Sequence, residues 1–137
     1  MFRVAKEIEF CYGHRLLDYD GKCRFLHGHN GRALIVLEGE TLDHRGMLMD
    51  FTDIKRAMTT WIETTLDHRL ILNERDPYAA YFREQREPVL TIPENPTAEN
   101  IARMIFRHAR EQQFPVVEVS LWETSQSYAS YAEPPVK

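Results

Sequence analysis

Hydrophobic and polar positions alternate near both ends of the chain and fall into a helical rhythm between them. In residues 2 to 10, Phe2, Val4, Ile8 and Phe10 share one side of an extended segment, the period-two pattern of a strand with one buried face. His14 follows just past it. A polar, turn-rich stretch covers residues 18 to 25, and β character resumes from His29 to Glu38 through Ala33, Leu34, Ile35, Val36 and Leu37. The first half is predicted as a long hairpin, followed by a tight turn at Asp43 to Gly46 and a short strand continuation at Met47 to Asp50.

From Asp53 to Leu66 the apolar residues Ile54, Ala57, Met58, Trp61 and Ile62 recur at helical spacing, with Asp50 or Thr52 as N-cap. A second helix is predicted over Ala98 to Gln113, its start marked by Pro96 and Thr97. Residues 73 to 95 hold Pro77, Pro88 and Pro93, and Asp76-Pro77 offers the start of a short extra helix through Arg86. Val116 to Thr124 reads as a strand, with Ser127 to Ala132 pairing back on it. The expected fold is α+β, a single domain over residues 1–137: a four-stranded antiparallel sheet with two helices on one face, in the order ββααββ. Such a sheet has two open edges, which favours pairing with other subunits.

Composition narrows the function classes. At 137 residues, with 43% hydrophobic side chains, the chain can bury a core. A net charge of -4 argues against a broad contact with nucleic acid. There is no eighteen-residue apolar run and no signal-like start, so the expected location is the cytoplasm, where Cys11 and Cys23 remain free thiols. Cys11, inside a strand pattern, reads as a small buried hydrophobe.

The chemistry gathers around histidines. His27-Gly28-His29 at a strand start turns two imidazoles to one face, and His14 at the end of the preceding strand can supply a third. Three histidines with an open fourth position suit a catalytic zinc ion. Cys23, four residues before His27, is either a fourth ligand that closes the site or a free thiol acting on a bound substrate. Asp67-His68 follows the first helix. Adjacent residues are not expected to make a short mutual hydrogen bond, so a partner from elsewhere is expected for this pair. Glu123 lies on the predicted buried face of its strand, where a carboxylate needs a partner.

Taken together, Phe10-x-x-x-His14-Arg15-Leu16, Lys22-Cys23-x-x-Leu26-His27-Gly28-His29-Asn30, Met49-Asp50-Phe51-x-Asp53-Ile54-Lys55, Leu66-Asp67-His68, Asn95-Pro96-Thr97-Ala98-Glu99-Asn100 and Trp122-Glu123-Thr124 resemble the 6-pyruvoyltetrahydropterin synthase family. The nearer branch resembles bacterial 6-carboxytetrahydropterin synthases of the queuosine pathway. The resemblance implies the tunnelling fold, a homohexamer with active sites between subunits, and a zinc-dependent carbon-oxygen lyase acting on 7,8-dihydroneopterin triphosphate. It implies His14, His27 and His29 as zinc ligands, Cys23 as the proton-accepting thiol, and Asp67 and His68 as the acid/base pair. Glu123 matches the carboxylate that grips the pterin and joins the relay, and Thr97 lies in the segment lining the pterin pocket. The implied product is 6-carboxy-5,6,7,8-tetrahydropterin, with release of triphosphate and acetaldehyde.

Two alternatives carry different consequences: a 6-pyruvoyl product from the same substrate, or a non-catalytic zinc module with Cys23 as fourth ligand. Arg15, Lys22 and Arg24 are the cations nearest in sequence for the triphosphate. Three features depart from the family pattern. Cys11-Tyr12-Gly13 stands where small residues are usual, Gly31 where an aromatic is common, and the segment from Asn73 to Glu94 is longer than in a compact member.

Overall fold

The computed structural model describes residues 1–136; Lys137, the last residue of the predicted domain, lies outside them. Strand β1 (Phe2–His14) runs beyond the alternating segment to end on His14 itself. It pairs antiparallel with β2 (His27–Gly39) along its full length, from Phe2 opposite Gly39 to His14 opposite His27. Strand β5 (Val116–Thr124) pairs with β2, and β6 (Ser127–Ala132) pairs with β5. This half of the sheet follows the predicted hairpins.

The other half does not. The sheet has six strands rather than four, because β3 (Arg69–Asn73) and β4 (Val89–Ile92) join it in parallel, giving the order β4-β3-β1-β2-β5-β6. Both are short, and Leu70, Ile71 and Leu72 form an apolar run without alternation, which periodicity cannot separate from a buried piece of helix. Met47 to Asp50, expected as a strand, forms bends instead. It leads into α1 (Phe51–Thr65), where Asp50 caps the helix by accepting from Thr52 N–H at 2.8 Å. A third helix, α2 (Tyr78–Glu84), starts after Pro77, as the Asp76-Pro77 pair allows.

Helix α1 and α3 (Ala98–Glu111) cover one face of the sheet. Ile54, Met58 and Ile62 of α1, and Ile101, Ile105 and Phe106 of α3, pack on Phe10, Ile35, Leu37, Val119 and Leu121. Burial of side chains of this size contributes roughly 1.5–3 kcal/mol each. Along β1 the inward alternation continues through Ile8, Phe10 and Tyr12 to His14, so the core stripe ends on an imidazole. Cys11 takes the opposite phase and is exposed, which corrects its reading as a buried hydrophobe. Among the described residues, no helix is long and apolar enough to cross a membrane.

Candidate metal centre and adjoining clefts

The inward stripes of three strands converge at one end of the sheet. His14 ends β1, His27 opens β2 opposite it, His29 lies two residues along on the same face, and Glu123 follows Leu121 in phase on β5. Nitrogen and oxygen donors of these four residues all lie within 4.8 Å of one another. The imidazole centroids are 4.5–5.0 Å apart. Three elements of the sheet thus gather four donors into one group.

Backbone carbonyls decide which imidazole nitrogens are free. His14 Nδ1 donates to Pro96 O at 2.7 Å and His27 Nδ1 to Phe25 O at 2.8 Å. A carbonyl only accepts, so each Nδ1 carries the proton and each Nε2 presents a lone pair. His27 Nε2 is buried with no hydrogen-bond partner, and His14 Nε2 lies 3.1 Å from His29 Nε2. Such an orphaned acceptor is costly unless a proton or a cation meets it. The donor set fits a zinc ion: imidazole nitrogens with outer hydrogen bonds that fix the rings.

The local electrostatics run the same way. Burial lowers the pKa of His29, with the charge of Glu123 pulling in the opposite direction. Glu123 Oε2 lies 2.6 Å from His29 Nε2 and 3.4 Å from His14 Nε2. The interaction with His14, opposed by burial and reinforced by the charges that the His29 and His27 rings can carry, lowers the carboxyl below its ordinary pKa. The partner that the buried-face position of Glu123 requires is therefore the histidine cluster.

Asp67 and His68 do make the short mutual hydrogen bond that their adjacency was expected to prevent: His68 Nδ1 lies 2.7 Å from Asp67 Oδ2. His68 has a left-handed backbone, φ 56°, uncommon for a residue other than glycine. The other carboxylate oxygen accepts from Cys11 N–H at 2.9 Å, and His68 N–H donates to Cys11 O at 2.7 Å. Burial opposes ionisation of Asp67, but the bonds from Cys11 and His68 outweigh it and lower its pKa. The pair is pinned to the main chain of β1 just ahead of its pairing with β3, and the His68 ring is left open to solvent.

Two open clefts of about 690 and 670 Å³ meet over Gly28, His29 and Asn30. His68, Leu26 and Pro88 line the first; Asp67, Trp122 and Glu123 line the second. Cys23 and Thr97 line neither. Cys23 is half-buried in the 3-10 turn Lys22–Arg24, where its carbonyl accepts from Leu16 N–H at 2.9 Å. Its thiol is outside the four-donor group, so the fourth donor that the fold brings to the histidines is Glu123 rather than Cys23. Thr97 caps α3, its hydroxyl accepting from Asn100 N–H at 3.2 Å, and so fixes the segment whose Pro96 carbonyl holds His14.

Arg15 is not a free cation, contrary to its sequence proximity to the site. It forms two bonds to buried Asp76, at 2.7 and 2.5 Å, and stacks over Tyr78. The sequence reading also assigned no role to Asn95, whose side chain accepts from Leu17 N–H and Asn73 and donates to Leu17 O, clamping the loop after β1 to the Pro96 segment. The Asn95-Pro96-Thr97 motif carried that signal. The Pro96 carbonyl carried none, because a backbone acceptor has no residue signature.

The family model for 6-pyruvoyl tetrahydropterin synthase matches residues 3–134. The 6-carboxy-5,6,7,8-tetrahydropterin synthase of Haemophilus influenzae is 33% identical over 97% of this chain and 100% of its own length. That of Rickettsia conorii is 36% identical over 88% and 86%. Among solved structures, an uncharacterized protein of Wolinella succinogenes superposes with a TM-score of 0.81 at 26% identity, covering 97% of this chain and 98% of that one. The 6-pyruvoyl tetrahydropterin synthase of Caenorhabditis elegans gives 0.72 at 23% identity over 97% and 96%, a likeness of fold.

Proposed function

Because the chain belongs to the 6-pyruvoyl tetrahydropterin synthase family, we propose that it is a zinc-dependent carbon-oxygen lyase. In this reading it converts 7,8-dihydroneopterin triphosphate and one water to 6-carboxy-5,6,7,8-tetrahydropterin, releasing triphosphate and acetaldehyde, in queuosine biosynthesis. The observation that carries the reading is the four-donor group of His14, His27, His29 and Glu123, with the buried Nε2 of His27 left without a partner. The names of the relatives at 33–36% identity favour the 6-carboxy product over the 6-pyruvoyl one.

His14, His27 and His29 are the zinc ligands in this proposal. When bound there, zinc supplies a Lewis acid that polarises the substrate's side-chain hydroxyls and acidifies the neighbouring carbon. Cys23 accepts the carbon-bound proton as thiolate, and the hydrogen-bonded Asp67-His68 pair returns it. Asp67 orients the imidazole and balances its charge, while the exposed edge of His68 meets the substrate. Glu123, in the lining of the second cleft, grips the pterin's amino-pyrimidine edge, and Thr97 belongs to the segment flanking that pocket. The enzyme works as one domain per chain in a cytoplasmic homohexamer whose active sites lie between subunits.

Incubation with 7,8-dihydroneopterin triphosphate, followed by mass analysis of the pterin, tests the reading. Formation of 6-carboxy-5,6,7,8-tetrahydropterin with acetaldehyde supports it. A 6-pyruvoyl product without acetaldehyde moves the assignment to the other branch, and unchanged substrate refutes both.

A further inference from the structure

One buried polar atom beside the metal centre is used by nothing described so far. Tyr12 follows the inward alternation of β1 and is 3% exposed. Its hydroxyl is the one buried side-chain oxygen among the described residues with no hydrogen-bond partner. The ring meets His14 edge-on, 5.1 Å between centroids, and lies 5.6 Å from His29. It also lies across Gly31, where an added Cβ would come within 2.9 Å of Tyr12 Cε1 and 3.4 Å of Leu121 Cδ1. The absence of a side chain on β2 is what lets the phenol reach across from β1 toward β5. A phenol O–H is a hydrogen-bond donor, and here it has no acceptor.

The donors available to Glu123 change when the centre is filled. Its Oε2 now lies 2.6 Å from His29 Nε2. An imidazole that gives its Nε2 lone pair to a metal has no proton there to donate, and a half-buried carboxylate then needs another donor. We propose that Tyr12 is a positioning residue of the metal centre: its hydroxyl donates to Glu123 when the histidine nitrogens are engaged, and thereby steadies the fourth side of the site. The hydroxyl acts on the centre through Glu123 and plays no part in the reacting bonds.

The inference rests on the reading of the four-donor group as a metal centre, and zinc binding by the unmodified protein checks that premise separately. Zinc affinity is measured by competition with a chromogenic chelator for the unmodified protein, Tyr12→Phe, Glu123→Ala and the double variant, without any pterin. Tyr12→Phe is expected to retain one zinc per chain but to raise its Kd about ten-fold or more, the range typical of groups that orient a metal's ligands. In metal-free protein the same variant should melt no lower than the parent, since only an unpaired hydroxyl is removed. The double variant should bind zinc no more weakly than Glu123→Ala alone, because Tyr12 acts through that carboxylate. Unchanged zinc affinity in Tyr12→Phe, or losses that add in full in the double variant, would overturn the proposal. So would a lowered metal-free Tm, which marks a merely structural role.

Discussion

Single residues divide the centre into groups that hold and groups that act. His27 has its Nδ1 fixed on Phe25 O and its Nε2 buried without a partner, so His27→Ala is expected to lose both zinc and turnover, as zinc analysis and product assay will show. Cys23 lies outside the donor group, and Cys23→Ala is expected to keep its zinc while turnover disappears; zinc release by this variant would make Cys23 a ligand. Gly31 leaves room for the Tyr12 ring, and Gly31→Ala pushes a methyl to 2.9 Å from it. Overpacking of this kind costs roughly 1–3 kcal/mol, measurable by urea unfolding. The histidine trio was legible because its i, i+2 spacing and strand phase follow from backbone geometry alone. The hydrogen bond between Asp67 and His68 was not, since it comes with a left-handed backbone at a residue that is not glycine.

Short elements hold the centre from behind. Arg15, just after β1, is tied to Asp76, just after β3, and lies 3.5 Å over the ring of Tyr78 at the start of α2. Asp76 is 3% exposed, and removing one partner of a buried ion pair strands the other. Asp76→Asn is expected to destabilise the fold by roughly 3 kcal/mol near neutral pH. Burial works against the Asp76 charge, but the bonds from Arg15 and Tyr78 N–H prevail and lower its pKa. Its contribution is therefore complete above the ordinary aspartate pKa of about 3.9 and is lost as pH falls through the lower folded value. Urea unfolding should show the gap between parent and variant narrowing only in that acidic range. The long hairpin and the helices α1 and α3 were legible from their periods and caps. Strands β3 and β4 were not, because the parallel pairing of β3 with β1 and of β4 with β3 is a tertiary choice that strands of five and four residues do not encode.

Across the whole molecule, the sheet ends on β4 at one side and β6 at the other, and open edges of this kind favour association. Light scattering is expected to give six times the 16.2 kDa chain mass; a monomer would leave the proposed intersubunit sites without a second chain. The position of the centre at the rim, where the core stripes of β1, β2 and β5 run out, explains how donors distant in sequence come together. That convergence was partly legible, since Glu123 was placed on the buried face of its strand, but its union with the histidines depends on β5 lying beside β2. The central claim is that this centre, charged with zinc, drives the conversion of a pterin triphosphate. It is tested most directly by stripping the protein with a chelator, restoring zinc to one half, and quantifying 6-carboxy-5,6,7,8-tetrahydropterin formed from 7,8-dihydroneopterin triphosphate in both. The account predicts product only in the zinc-restored half; equal turnover in both halves, or none in either, would contradict it.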